Sequence, residues 1–116
     1  MAAGIRGAMN HLSMLRANHA RGVGHPTAVG LYPKGNSSEG LCDMLGNVWE
    51  WCEDWFGAYE VGGQKNPIGS KDGEYKVLRG GAGGSGARGV RASVRDAGGR
   101  SVRDGDVGFR CAGELR

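Results

Sequence analysis

Apolar residues recur at helical spacing once in this chain. Ile5, Ala8, Met9, Leu12 and Leu15 fall on one stripe while Arg6, Asn10, Ser13 and Arg16 fall off it. The spacing predicts an amphipathic helix over Met1–Ala20. Gly22, Gly24 and Pro26 stop it, so residues 1–22 form an N-terminal helical segment with His11 and His19 facing solvent. Beyond it the pattern shortens. Thr27–Leu31 reads as a brief extended piece and Tyr32–Ser38 as a turn. Trp49 and Trp51 share one strand face, and Val48 and Glu50 the other. Tyr75–Leu78 reads as a strand. Val90, Ala92 and Val94 alternate with Arg91, Ser93 and Arg95, which predicts a half-exposed strand. Residues 96–106 read as polar loop, and Val107, Phe109 and Cys111 alternate into a final strand. One helix followed by short antiparallel strands and long irregular loops is an α+β domain.

The length of 116 residues fits one domain spanning 1–116. Glycine contributes 24 residues, against an average usage of about 7%. They follow no Gly-X-Y period, which excludes collagen, and three tryptophans with 39% hydrophobic residues argue against disorder. So many glycines imply many backbone positions at positive φ. The net charge is only +3, but it is unevenly placed. The middle is acidic (Glu39, Asp43, Glu50, Glu53, Asp54, Glu60), and arginines gather after Arg79. No aromatic residue lies between Arg79 and Val107 to stack a base, so nucleic acid is not an expected partner. Cys42, Cys52 and Cys111 lack zinc spacing, and no stretch is long and apolar enough for membrane insertion. Residues 1–21 lack the apolar run of a secretion signal, leaving cytosol, virion and cell surface all open.

Three segments stand in a telling order. The first is Gly40-Leu41-Cys42-Asp43-Met44-Leu45-Gly46-Asn47-Val48-Trp49-Glu50-Trp51-Cys52-Glu53-Asp54-Trp55, the second Val77-Leu78-Arg79-Gly80-Gly81, the third Val107-Gly108-Phe109-Arg110-Cys111-Ala112. Together they resemble the formylglycine-generating-enzyme (sulfatase-modifying factor) superfamily, whose pattern runs G-L-x-D-M-x-G-N-V-W-E-W, L-R-G-G-S, G-F-R. The resemblance covers Thr27 to the C-terminus and implies a C-type-lectin-like fold. It also implies a calcium site at Asp43, Gly46, Val48 and Glu50, two carboxylates and two backbone carbonyls suited to a hard cation. Cys52 and Cys111 end segments that the family packs together, as a disulfide or as two thiols.

Catalytic members of the superfamily hold copper with two cysteines shortly after the G-G of the second motif. Here Gly80-Gly81 is followed by Ala82, Gly83, Gly84, Ser85, Gly86, Ala87, Arg88, Gly89 and Val90. Ser85 stands near the first cysteine's place, and soft copper needs thiolates, so no copper and no catalytic residue is expected. A second branch of this fold, the variable proteins of diversity-generating retroelements, carries a rewritten stretch between R-G-G and G-F-R. Adenine-targeted mutagenesis of AAC codons yields only NNC residues there. Residues 79–110 contain no asparagine. Gly83, Gly84, Ser85, Gly86, Gly89, Ser93, Val94, Asp96, Gly98, Val102, Asp104 and Asp106 are the candidate ligand-binding positions, and Gly99 and Gly105 are equally reachable by NNC codons. Arg88, Val90, Arg91, Ala92, Arg95 and Arg103 read as their constant frame, the arginines pairing with the acidic middle. The expected function is a non-catalytic ligand-binding protein facing a protein or cell-surface ligand, with homo-oligomerisation through the first helix. The alternative is an oxidase relative or pseudo-enzyme interaction domain.

Overall fold

The computed structural model describes residues 15–115. Four strands form one sheet: β1 (Trp49–Trp55), β2 (Tyr75–Arg79), β3 (Arg95–Gly99) and β4 (Val107–Gly108). Their order is β3-β2-β1-β4. β1 and β2 run antiparallel with Trp51 opposite Leu78, and the register shifts between Trp51 and Trp55. β2 and β3 pair antiparallel along their whole length, from Tyr75↔Gly99 to Arg79↔Arg95. β4 lies parallel to β1, with Trp49 opposite Val107. The first and third motif segments are therefore neighbours.

Several expectations are corrected. No α-helix occurs among the described residues, where the helical element is a 3-10 turn at Pro33–Gly35. The described residues form a sheet with long loops and lack the helix of the expected α+β domain. Residues 1–14 of the expected helix lie outside the described residues. Its last part is a turn, because Ala20 (φ 52°) and Arg21 (φ 58°) adopt left-handed backbone. His19 is buried at 3% exposure rather than facing solvent. Thr27–Leu31 ends in a turn, not a strand. The strands are not all antiparallel, and the last stops at Gly108, leaving Phe109 exposed.

The strand read over 90–95 is displaced to Arg95–Gly99. Val90 is buried and anchors the loop to the core. Residues 91–94 turn back, with the Val94 N–H donating to the Arg91 carbonyl at 3.0 Å. β3 forms where the main chain can pair with β2, and Gly98 leaves room there for Trp51. A Cβ at Gly98 would stand 2.7 Å from Trp51 Cη2 and 3.1 Å from Leu78 Cδ1. Val77, Leu78, Ala82 and Val90 are buried in this core, with Trp49 and Trp51 half-buried beside it. No described helix is long and apolar enough to cross a membrane.

Candidate functional site

The stretch after β2 begins with two glycines that the backbone requires. Gly80 (φ 96°) and Gly81 (φ 73°) lie in the left-handed region. A Cβ on Gly81 would meet the Gly89 carbonyl oxygen at 2.6 Å. The Gly46 N–H donates to the Gly80 carbonyl at 2.7 Å, locking the first motif to the second.

The following loop is held mainly through its main chain. Ala20 N–H donates to Ser85 O (2.7 Å) and Arg21 N–H to Gly83 O (2.8 Å). Gly83 N–H donates to Asn47 O (2.9 Å), and Asn47 N–H to Asn18 O (2.8 Å). Three segments distant in sequence are thus laced together without using a side chain of the loop. Asn47, in left-handed backbone at φ 69°, binds with its side chain too. Its Oδ1 accepts from Thr27 N–H (2.8 Å), Thr27 Oγ1 (3.3 Å) and Asn18 Nδ2 (3.3 Å), and its Nδ2 donates to Thr27 O (3.2 Å). Asn18, 1% exposed, also donates to His25 O.

The candidate positions divide by environment. Gly84, Gly86, Ser93, Asp96, Val102, Asp104 and Asp106 are exposed. A Cβ at Gly84, Gly86 or Gly105 would meet nothing within 4 Å. Ser85, Gly89 and Val94 are half-buried, and Ser85 Oγ accepts from Ala82 N–H at 3.0 Å. Gly83 and Gly98 are buried, under the Asn18 amide and the Trp51 ring respectively, so neither presents to solvent here. None of Gly83, Gly84, Gly86, Gly89, Gly98, Gly99 or Gly105 has positive φ. Between residues 83 and 105 no glycine is demanded by a positive φ; the positive-φ glycines that the composition implies lie elsewhere, Gly80 and Gly81 among them. Asp104 and Asp106 sit together, and burial, then the Asp104 charge and hydrogen bond, raise the Asp106 carboxyl above the ordinary aspartate range.

The frame arginines do not pair with the acidic middle as expected. Among the described residues the ion pair is Arg110–Glu50. Its Nε and Nη2 each reach a Glu50 oxygen at 2.6 Å, and Nη2 also donates to the Asp43 carbonyl at 3.0 Å. The Glu50 hydrogen bond raises the guanidinium's affinity for its proton, against opposing burial.

That fork decides the calcium expectation. Both Glu50 oxygens and the Asp43 carbonyl already serve Arg110, and Asp43 Oδ2 accepts from Gly30 N–H at 2.8 Å. Val48 is half-buried against Gly108, and Gly46 is buried. A guanidinium supplies the positive charge here, so Asp43, Gly46, Val48 and Glu50 do not fit a calcium ion. Copper fits no better. Ser85, whose hydroxyl accepts from Ala82 N–H, stands where soft copper needs a thiolate. Cys42, Cys52 and Cys111 are free thiols, and burial raises that of Cys52 above the ordinary thiol range.

A cleft of about 980 Å³ lies between the sheet and the 57–71 loop, with Arg79 and Arg95 in its lining. Residue reading along the chain missed it, because only the β2–β3 register places these two arginines opposite each other.

The chain matches the Sulfatase-modifying factor enzyme 1-like domain over residues 7–115. It belongs to that family. The sulfatase-modifying factor domain here is 42% identical over 90 residues to the serine/threonine-protein kinase pkn1 of Chlamydia caviae, covering 74% of this chain and 14% of that protein. It is 36% identical over 83 residues to the formylglycine-generating enzyme of Streptomyces coelicolor, covering 67% of this chain and 26% of the enzyme. Among solved structures it superposes on Treponema denticola variable protein 1 with a TM-score of 0.73 and 30% identity, covering 83% of this chain and 35% of that one. That likeness agrees with the C-type-lectin-like part of the fold expectation, without its helix. The chain spans 14–26% of the length of these two curated relatives.

Proposed function

We propose that this sulfatase-modifying factor domain is a non-catalytic binding protein of the retroelement variable-protein kind. Its loops over 84–94 and 100–106 present replaceable side chains to a protein or cell-surface ligand. One observation carries the reading: the glycines that the backbone conformation needs lie outside the candidate positions. Gly46, Gly80 and Gly81 sit at positive φ, whereas the glycines from 83 to 105 do not. Glycine at Gly84, Gly86 and Gly105 marks an absent side chain at an open position, not a backbone need. The likeness to a variable protein supports the same reading. The lack of any cysteine between Gly81 and Cys111 weighs against the chemistry of the enzyme relatives.

The test lies in the gene. The candidate positions should carry C as third codon base, beside a template repeat that differs from them only at adenines. Codons ending in other bases at Gly84, Gly86, Asp96 and Asp104 would overturn the proposal.

A further inference from the structure

The cleft beneath the 57–71 loop contains none of the candidate display positions. Its floor holds an electrostatic conflict. Arg79 on β2 and Arg95 on β3 are directly opposed in the antiparallel register, and both line the cleft. Like charges in that relation repel. Neither is relieved by a carboxylate within ion-pair distance among the described residues.

What holds them is neutral. Arg79 donates to the carbonyls of Ala92 (3.3 Å) and Val94 (3.2 Å) and to the Tyr59 hydroxyl (3.2 Å). Arg95 lies over the rings of Tyr59 (3.9 Å) and Phe56 (4.6 Å) and donates to the Gly57 carbonyl. These contacts fix the guanidiniums and leave most of the N–H donors of Arg95 unused. Lys65 and Lys71 add two exposed cations at the rim, against the carboxylates of Asp54 and Glu60. Pro67 and the exposed Ile68 give the same cleft an apolar wall.

We infer that this cleft binds a carboxylate-bearing peptide segment of a partner protein, with Arg79 and Arg95 receiving its acidic side chains. Planar guanidiniums match carboxylates in a paired fork, and a fixed pair has little ordering left to lose on binding. The volume is at the upper end for a small-molecule pocket, and the apolar wall beside the charge suits a peptide over a bare anion. The site is made of fixed residues and stands whether or not the neighbouring loop is diversified.

The experiment is a titration of the full chain with capped tri-glutamate, capped tri-glutamine and succinate, followed by amide NMR shifts and calorimetry. Tri-glutamate should move the amides of Gly57, Tyr59 and Arg95 saturably. It should bind at least about tenfold more tightly than either of the other probes. Arg95→Gln should weaken it by about tenfold. Because Arg95 also secures the 56–59 segment, the exposed double variant Lys65→Glu/Lys71→Glu is the parallel test, and it too should weaken binding about tenfold. Equal affinity for tri-glutamine, or undiminished tri-glutamate binding in the folded double variant, overturns the inference. Succinate binding as tight as tri-glutamate overturns the peptide assignment. None of these outcomes touches the codon test of the display reading.

Discussion

Gly98 and Gly84 offer the same substitution with opposite expected signs. Gly98→Ala places a methyl 2.7 Å from Trp51 Cη2, 2.8 Å from Cζ3 and 3.1 Å from Leu78 Cδ1. The obstructing atoms belong to an indole ring packed on the sheet, so relief requires shifting Trp51 or the β3 backbone. Overpacking of this kind costs about 1–3 kcal/mol. Neither glycine has positive φ, so alanine returns roughly 0.4–1 kcal/mol by restricting the unfolded chain. The net expectation for Gly98→Ala is a loss of about 1–2 kcal/mol. For a domain of this size that lowers Tm by roughly 5–10 °C. At Gly84 a methyl meets nothing within 4 Å, so only the unfolded-chain gain remains and Tm should rise by a few degrees, roughly 2–5 °C. Urea titration and calorimetry of both variants measure this directly. Equal effects at the two sites, or a stable Gly98→Ala with an unmoved Trp51, would refute the packing argument.

Three further outcomes follow from the site. Asn47→Ala strips Thr27 N–H and the Asn18 amide of their acceptor, and should cost about 2–4 kcal/mol in urea unfolding. Calcium or a chelator should leave Tm unchanged, because Arg110 engages both Glu50 oxygens; a shift of several degrees on adding calcium would contradict that assignment. Asp104→Asn should lower the Asp106 carboxyl toward the ordinary range by removing the neighbouring charge, with burial still holding it up, as side-chain NMR titration would read. The sign for stability follows. A carboxyl raised in the folded state favours folding at acid pH, and that contribution is lost as pH rises through the folded pKa, so the variant should lose less over that window.

What was legible in the sequence was whatever depends on near neighbours. Tyr75–Leu78 is a short run with strand-forming residues and forms β2, and Trp49 and Trp51 mark β1. β3 was illegible because Arg95-Asp96-Ala97-Gly98-Gly99 has no strand propensity of its own. It forms by pairing with β2 and by leaving space for an indole more than forty positions earlier. Val90 misled for the complementary reason: its apolar side chain is buried from a loop, not a strand. The burial of Asn18 and His19 was equally hidden, since Asn18 meets Asn47 and Gly83 only in the folded chain. At the site, the exposed glycines could be proposed from residue type. The closure of Gly83 and Gly98 and the opposition of Arg79 and Arg95 could not, because each is a property of register.

On the display reading proposed above, a surface that varies must be held by something that does not vary with it. Here the holding groups are Gly46, Asn47, Gly80 and Gly81, together with main-chain bonds from residues 20–21 to 83–85. A main-chain bond survives any side-chain replacement that respects the local φ and ψ, so Gly84 and Gly86 can change without breaking one. The exceptions define the boundary. Ser85 spends its hydroxyl on Ala82, Gly83 lies on the Asn18 amide, and Gly98 lies on Trp51. A library randomised at Gly83, Gly84, Gly86, Gly98 and Gly105, selected for protease resistance and sequenced, should therefore split in two. Residues 84, 86 and 105 should retain every side-chain size, while 83 and 98 collapse to glycine or the smallest residues. Large side chains surviving equally at 98 and at 84 would mean that the frame yields with the surface, and the separation between the two would be lost.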